Sequence, residues 1–183
     1  MTTAQTHTPT TRDKLLHSAR VAFWSKGYSN VSLRAVAKDA GVDVALISRY
    51  FGGKRGLFDE SIACAFDLPF DTVNDSQSLV DMFVQIFTKT HHDGETPSPV
   101  RMLLTNAHDD DVGADLQDRV RKELFDPIAR ITGDEARAAL FLSAVLGISV
   151  AEKTLHLPGI GASGTTLYEA QIRHMFEAAL KGA

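Results

Sequence analysis

Glycines close the first three apolar stripes of this chain at short intervals: Gly27, Gly41 and the pair Gly52–Gly53. Between them apolar residues recur every three or four positions, which places each stripe on one face of a helix. The first stripe runs through Leu15, Ala19, Ala22 and Phe23, and Thr10 or Thr11 supplies its cap. The second, capped by Ser32, holds Leu33, Val36, Ala37 and Ala40. Asp43 caps a third, anchored by Ile47 and Phe51. Two short helices joined by a tight turn that starts on glycine, after a longer helix, predict a helix-turn-helix. Such a pair approaches closely only through small residues, and Ala37, Ala40, Gly41 and Ala45 meet that need.

The helical spacing continues beyond this block. Lys54 opens a fourth helix through Leu57, Phe58, Ile62, Ala65 and Phe66, stopped before Pro69. Leu79, Phe83, Ile86 and Phe87 mark a fifth, Val100, Leu103, Leu104 and Ala107 a sixth, and Leu116, Val120, Leu124, Ile128 and Ile131 a seventh. Residues 134–154 form an eighth, and Thr166 caps a ninth that runs through Leu180. No run alternates with period two, so no sheet is expected. The fold class is therefore all-α, with about nine helices. The organisation expected is a tail over 1–9, a helix-turn-helix domain over 10–53, a connecting helix over 54–68 and a second helical domain over 69–183.

Composition narrows the compartment and the class. With 44% apolar residues, 23% charged residues and one Cys in 183, the chain is neither disordered nor a disulfide scaffold. The Thr-rich start carries no apolar core, so a mature chain beginning at Met1 and a cytoplasmic location are expected. The longest nearly apolar stretch, 138–151, falls short of the roughly 20 residues a membrane span needs and reads as a buried helix. Charge is unevenly placed. Residues 1–60 hold nine Lys/Arg against five Asp/Glu in a chain whose net charge is −4. A basic front and an acidic remainder suggest a module that meets a polyanion, joined to one that does not.

In a helix-turn-helix the second helix presents its outward face to the DNA major groove. Side chains there that cannot serve the core are Val44, Ala45, Leu46, Ser48, Arg49 and Tyr50, interleaved with the inward Ile47 and Phe51. Arg49 and, on the preceding helix, Arg34 are the candidates for reading bases, since a guanidinium grips two acceptors on guanine. Val44, Ala45 and Leu46 offer methyl contacts to thymine.

These residues carry a resemblance. Gly27-Tyr28, Val31-Ser32-Leu33-Arg34-Ala35-Val36-Ala37, Ala40-Gly41-Val42-Asp43 and Ile47-Ser48-Arg49-Tyr50-Phe51-Gly52-Gly53-Lys54-Arg55-Gly56-Leu57-Phe58 resemble the TetR family of bacterial transcriptional regulators over roughly residues 10–60. The resemblance implies that Lys54 binds a phosphate, in keeping with the positive end of the helix it opens. It also gives Tyr50 a phosphate-contacting position. Two residues depart from the family pattern. Asp43 stands where Ser or Thr is usual and repels a phosphate while still capping, and Ser48 shortens the reach of a common Tyr.

Gly159-Ile160-Gly161-Ala162-Ser163-Gly164 spells a dinucleotide fingerprint, but a βαβ unit has no room around it, so it reads as an interhelical loop. His91-His92-Asp93, and His108 with Asp109, Asp110 and Asp111, sit at helix ends where polar residues collect, and no metal site is expected. Cys64 reads as inert packing beside an apolar stripe. No catalytic grouping is recognisable, so no enzyme activity, cofactor or metal is expected.

Selective reading of DNA calls for two such units on a palindromic operator, about 34 Å apart. A homodimer face is expected on Ala139, Ser143, Leu146, Gly147 and Val150 of the eighth helix and Tyr168, Ile172, Met175, Phe176 and Ala179 of the ninth, as the resemblance also implies. Phe66, Phe70, Met82, Phe83, Phe87, Met102, Phe125 and Phe141 are candidates to line a cavity for a small apolar or amphipathic ligand, with Asn106 or Gln85 orienting a polar group. The helix from Lys54 to Phe66 is the natural lever between pocket and DNA contact. The function expected is a repressor released from double-stranded DNA by a ligand. The alternatives are a DNA-binding regulator without a ligand and, further off, an all-helical enzyme or scaffold. No membrane association is expected.

Overall fold

A computed structural model describes residues 9–89 and 96–181. Every regular element in these residues is helical. The α-helices are α1 (Thr11–Lys26), α2 (Leu33–Asp39), α3 (Ala45–Phe51), α4 (Lys54–Ala63), α5 (Ser76–Lys89), α6 (Pro99–Asn106), α7 (Gly113–Val120), α8 (Asp126–Thr132), α9 (Glu135–Lys153) and α10 (Thr166–Lys181). A π-turn, Arg121–Phe125, joins α7 to α8 without a break, so the ten segments make nine rods, matching the number expected. The widening has a local cause. Pro127 carries no N–H and its ring crowds the carbonyl four residues back. The preceding turn opens instead, and Asp126 N–H donates to Arg121 O, five residues away.

The helix starts follow cap chemistry. Thr10 Oγ1 accepts from Asp13 N–H while the Asp13 carboxylate takes Thr10 N–H at 3.0 Å, a complete capping box. Ser32 caps α2, and Asp134 accepts from both Ala136 and Arg137 to start α9. The last helix begins one residue away from the expected cap: Thr165, not Thr166, accepts the N–H of Tyr168.

Two compact units emerge. The first takes the chain up to Ala65 together with Glu95–Val112, and the second takes Phe66–Gly94 with Gly113–Ala183. This differs from the sequence boundaries, because α6 packs on α1 within the first unit. In the first unit Leu15, Ala19, Phe23, Ile47, Leu57, Phe58 and Met102 are buried. In the second, Leu79, Phe83, Ile128, Phe141, Tyr168, Ile172 and Phe176 form the buried cluster, with α10 laid against α9 and α5. Among the described residues no helix is long and apolar enough to cross a membrane.

Candidate nucleic-acid interface

The turn between α2 and α3 is set by Gly41, whose φ of +69° is a left-handed conformation that side chains disfavour. Val42 N–H reaches back to Ala37 O at 3.0 Å and Gly41 N–H to Lys38 O, so α2 stops within one residue. Asp43 Oδ1 then accepts Ala45 N–H at 2.7 Å and starts α3. Ile47 and Phe51 are buried and fix the rotation of α3. Its opposite side consequently faces solvent: Val44 is 39% and Tyr50 38% exposed, and Ala45, Ser48 and Arg49 are exposed as well. Leu46 is half-buried, so part of it serves packing. Arg34 is exposed on α2. Neither Arg34 nor Arg49 has an ion-pair partner among the described residues, which leaves both guanidinium forks available to bind.

The entry into α4 is tightly built. Lys54 is its first residue, and its ammonium lies 4.4 Å from the centre of the Tyr28 ring. A cation over an aromatic face is attracted by the ring's quadrupole. Burial pushes the Tyr28 phenol up from its ordinary range, reinforced by Asp111 and opposed by Arg55. Arg55 pairs with Asp59 at 3.1 Å and also donates to Asp111 O at 3.2 Å. Arg12, near the start of α1, pairs with Glu60 and lies over the Phe51 ring. Sequence reading missed Tyr28 and Arg12 as supports of this surface. Gly27-Tyr28 stood in the motif, but which ring a lysine meets is a tertiary fact.

Two residues expected at a ligand pocket have other duties. Met102 and Asn106 belong to the first unit, where both are fully buried. The Asn106 amide accepts Tyr28 N–H at 2.7 Å and donates to Phe23 O at 3.1 Å and Met102 O at 2.9 Å. Its polar atoms are spent on backbone groups at the end of α1 and in its own helix. Asp109 likewise accepts Ser29 N–H at 3.0 Å and Asp111 N–H at 3.1 Å, while His91, His92 and Asp93 lie outside the described residues. Cys64 is exposed just after α4 rather than packed.

In the second unit most of the remaining pocket candidates gather on one aromatic cluster. Phe83 contacts Phe70, Phe141 and Phe176 at ring separations of 6.4, 5.2 and 6.3 Å, and Phe87 contacts Phe176 at 5.8 Å. Phe83 and Phe141 are buried, whereas Phe70, Met82, Phe87 and Phe125 are half-buried around them. Phe66 is buried beneath the Arg119 guanidinium, 4.7 Å above its ring, and Gln85 is exposed.

The expected dimer face divides. On α9, Ala139, Ser143 and Gly147 are exposed and Leu146 and Val150 half-buried, with Leu140, 51% exposed, alongside them. On α10 the expectation fails for Tyr168, Ile172 and Phe176. All three are fully buried in their own core, because the strongest apolar stripe of α10 is the one its monomer uses. Met175 and Ala179 flank that core half-buried. The exposed side of α10 carries Leu167, Ala170, His174 and Ala178 instead. Their spacing was visible in sequence but was outshone by the larger apolar residues beside them.

The loop 155–165 is held by Gln171, which accepts Gly161 N–H and donates to Gly159 O, each at 2.8 Å. With helices on both sides, its glycine spacing has no strand to serve as a dinucleotide site.

Comparison with known proteins places this geometry. Residues 15–61 match the family model described as bacterial regulatory proteins, tetR family. Residues 79–177, more than half of the chain, match the tetracyclin repressor-like C-terminal domain. The chain belongs to the TetR family. One curated relative is "Probable HTH-type transcriptional regulator YttP" of Bacillus subtilis, 47% identical over 53 residues, or 29% of this chain and 26% of that protein. The negative regulator of the biofilm operon icaADBC, IcaR of Staphylococcus aureus, is 30% identical over 56 residues, 31% of this chain and 30% of its own. The chain thus matches less than a third of the length of these curated relatives. Solved TetR-fold structures extend the likeness. NalD, the secondary repressor of the MexAB-OprM multidrug efflux pump in Pseudomonas aeruginosa, aligns with a TM-score of 0.67 at 17% identity, over 94% of this chain and 95% of its own. A TetR-family regulator from Streptomyces coelicolor aligns at 0.51 and 20% identity over 94% and 95%. At these identities they share the fold.

Proposed function

We propose that this TetR-family chain is a homodimeric repressor that reads a palindromic operator and leaves it when a small apolar or amphipathic ligand binds its second unit. The observation that carries the reading is the outward side of α3. Arg49 is exposed there between Ser48 and Tyr50, with no ion-pair partner among the described residues, on a helix whose rotation Ile47 and Phe51 fix. Arg49 and Arg34 grip base edges, worth about 1–3 kcal/mol of discrimination each when bidentate. Val44, Ala45 and the exposed part of Leu46 meet thymine methyls, and Ser48 reaches an adjacent edge. Tyr50 and Lys54 hold phosphates and set the register.

One such unit buries too little surface to be selective, so two copies are joined. The face is the small-residue side of α9, Ala139, Leu140, Ser143 and Gly147, with Leu167, Ala170, His174 and Ala178 of α10. The ligand lies along Phe70, Met82, Phe87 and Phe125, whose half-buried side chains yield more readily than Phe83 and Phe141. It acts by favouring a dimer whose reading helices no longer match the operator spacing, since a ligand shifts an equilibrium only by its differential affinity. The close ring packing of Phe83, Phe141 and Phe176 favours a second reading, a regulator with no ligand. Retardation of the DNA upstream of the gene, repeated with hydrophobic compounds, separates the two. Release by a compound supports the first, and indifference to all of them supports the second.

A further inference from the structure

We infer that Asn106 is a positioning residue for the phosphate-binding Lys54, acting through Tyr28 from a segment 78 residues further along the chain. The inference rests on the reading of Lys54 as a phosphate contact and adds what holds it.

Tyr28 is the platform under the Lys54 ammonium, and its ring is fixed on both sides. It stacks on Phe23 at 5.9 Å and meets the edge of Phe58 at 5.2 Å. Its backbone is fixed by Asn106, whose Oδ1 takes the Tyr28 N–H at 2.7 Å. The same amide grips Phe23 O, the carbonyl that also receives Gly27 N–H and so ends α1. Three residues on, Asp109 takes Ser29 N–H, and Asp111 O takes the Arg55 guanidinium beside Lys54. The turn that carries the platform and the first turn of α4 are therefore both held by residues 106–111.

A free lysine stem samples many rotamers and pays that entropy when it docks. A stem resting on a fixed ring has already lost part of it, and the ring leaves the other side of the ammonium open to a phosphate oxygen. The strength of the DNA backbone contact thus depends on an asparagine outside the helix-turn-helix sequence.

The test is a titration of the full chain onto its upstream duplex and onto a random duplex across a salt series. The variants are Lys54→Ala, Tyr28→Phe, Tyr28→Leu, Asn106→Asp and the double variant Tyr28→Leu with Lys54→Ala. Lys54→Ala is expected to weaken both duplexes and lower the salt slope by about one. Tyr28→Phe, which keeps the ring, is expected to bind both duplexes more tightly than Tyr28→Leu. Tyr28→Leu and Asn106→Asp each lose about two- to fivefold on both duplexes, the scale of an exposed cation–π contact, with a shallower slope. The double variant binds like Lys54→Ala alone. Losses that multiply in the double variant, with the slope of Tyr28→Leu unchanged, overturn the inference while leaving Lys54 a phosphate contact. A silent Lys54→Ala on DNA that the wild type binds overturns the phosphate reading itself. A measurement without DNA covers variants that fold poorly. In wild-type protein the Lys54 side-chain methylene resonances are shifted upfield by the Tyr28 ring, and Asn106→Asp reduces that shift. An unshifted Lys54 in the wild type contradicts the proposal.

Discussion

The carbonyl oxygen of Phe51 occupies the space in which a side chain on Gly56 would begin: a Cβ built there lies 1.9 Å from it. The last residue of the reading helix and the first turn of α4 touch backbone to backbone at this point. Gly56→Ala forces them apart. It is expected to destabilise the protein by about 1–3 kcal/mol, as overpacking does, and to weaken operator binding. Urea unfolding and DNA titration of the same variant check both.

Arg49→Ala is expected to lose affinity for the operator alone, by about 1–3 kcal/mol, and to relax selectivity. Its affinity for random duplex is expected to stay near that of the wild type, because the contact proposed for it is to bases rather than phosphates. Competition binding on the two duplexes measures the ratio.

Gly147 is exposed on α9, and an added Cβ there meets nothing within 4 Å in the monomer. Gly147→Arg is therefore expected to leave monomer folding nearly intact and to block the approach of a second copy proposed for this face. Sedimentation is expected to show a single chain, and operator binding to fall steeply. Phe176→Ala behaves oppositely. Its ring is buried among Phe83, Phe87 and Phe141, so the variant loses about 3–5 kcal/mol of stability in denaturant titrations.

The Tyr168 hydroxyl donates to Glu152 at 2.5 Å from a fully buried ring. Burial, then the bond to Glu152, raises its pKa well above the ordinary phenol value. A raised folded-state pKa gives stability that is complete below the unfolded phenol pKa of about 10 and fades as the pH climbs past it. Denaturant midpoints are expected to fall as the pH rises above about 10, and Tyr168→Phe is expected to lessen that fall, leaving the part that the raised Tyr28 phenol contributes.

The helix-turn-helix was legible because each of its rules is local. Ser32, Gly41, Asp43 and the glycine pair at 52–53 act within four residues of themselves, so a one-dimensional reading finds them. The placement of α6 was not, since nothing in Pro99–Asn106 names the helix it packs on. Asn106 looked like a ligand group because a lone polar residue on an apolar stripe has two explanations. Its partners, Tyr28 and Phe23, lie about eighty residues away. Tyr168, Ile172 and Phe176 misled for a related reason: spacing shows that a face is apolar, but not whether its own core or a second copy covers it.

In the function proposed, a pair of these chains lays Val44–Tyr50 into the major groove of a symmetric duplex. The most direct measurement is sedimentation of the purified chain with a duplex from upstream of its gene, and with a random duplex, at rising salt. The expected result is two chains per symmetric site, preference over random DNA and a steep loss with salt. A chain that stays monomeric and ignores both duplexes at low salt contradicts it.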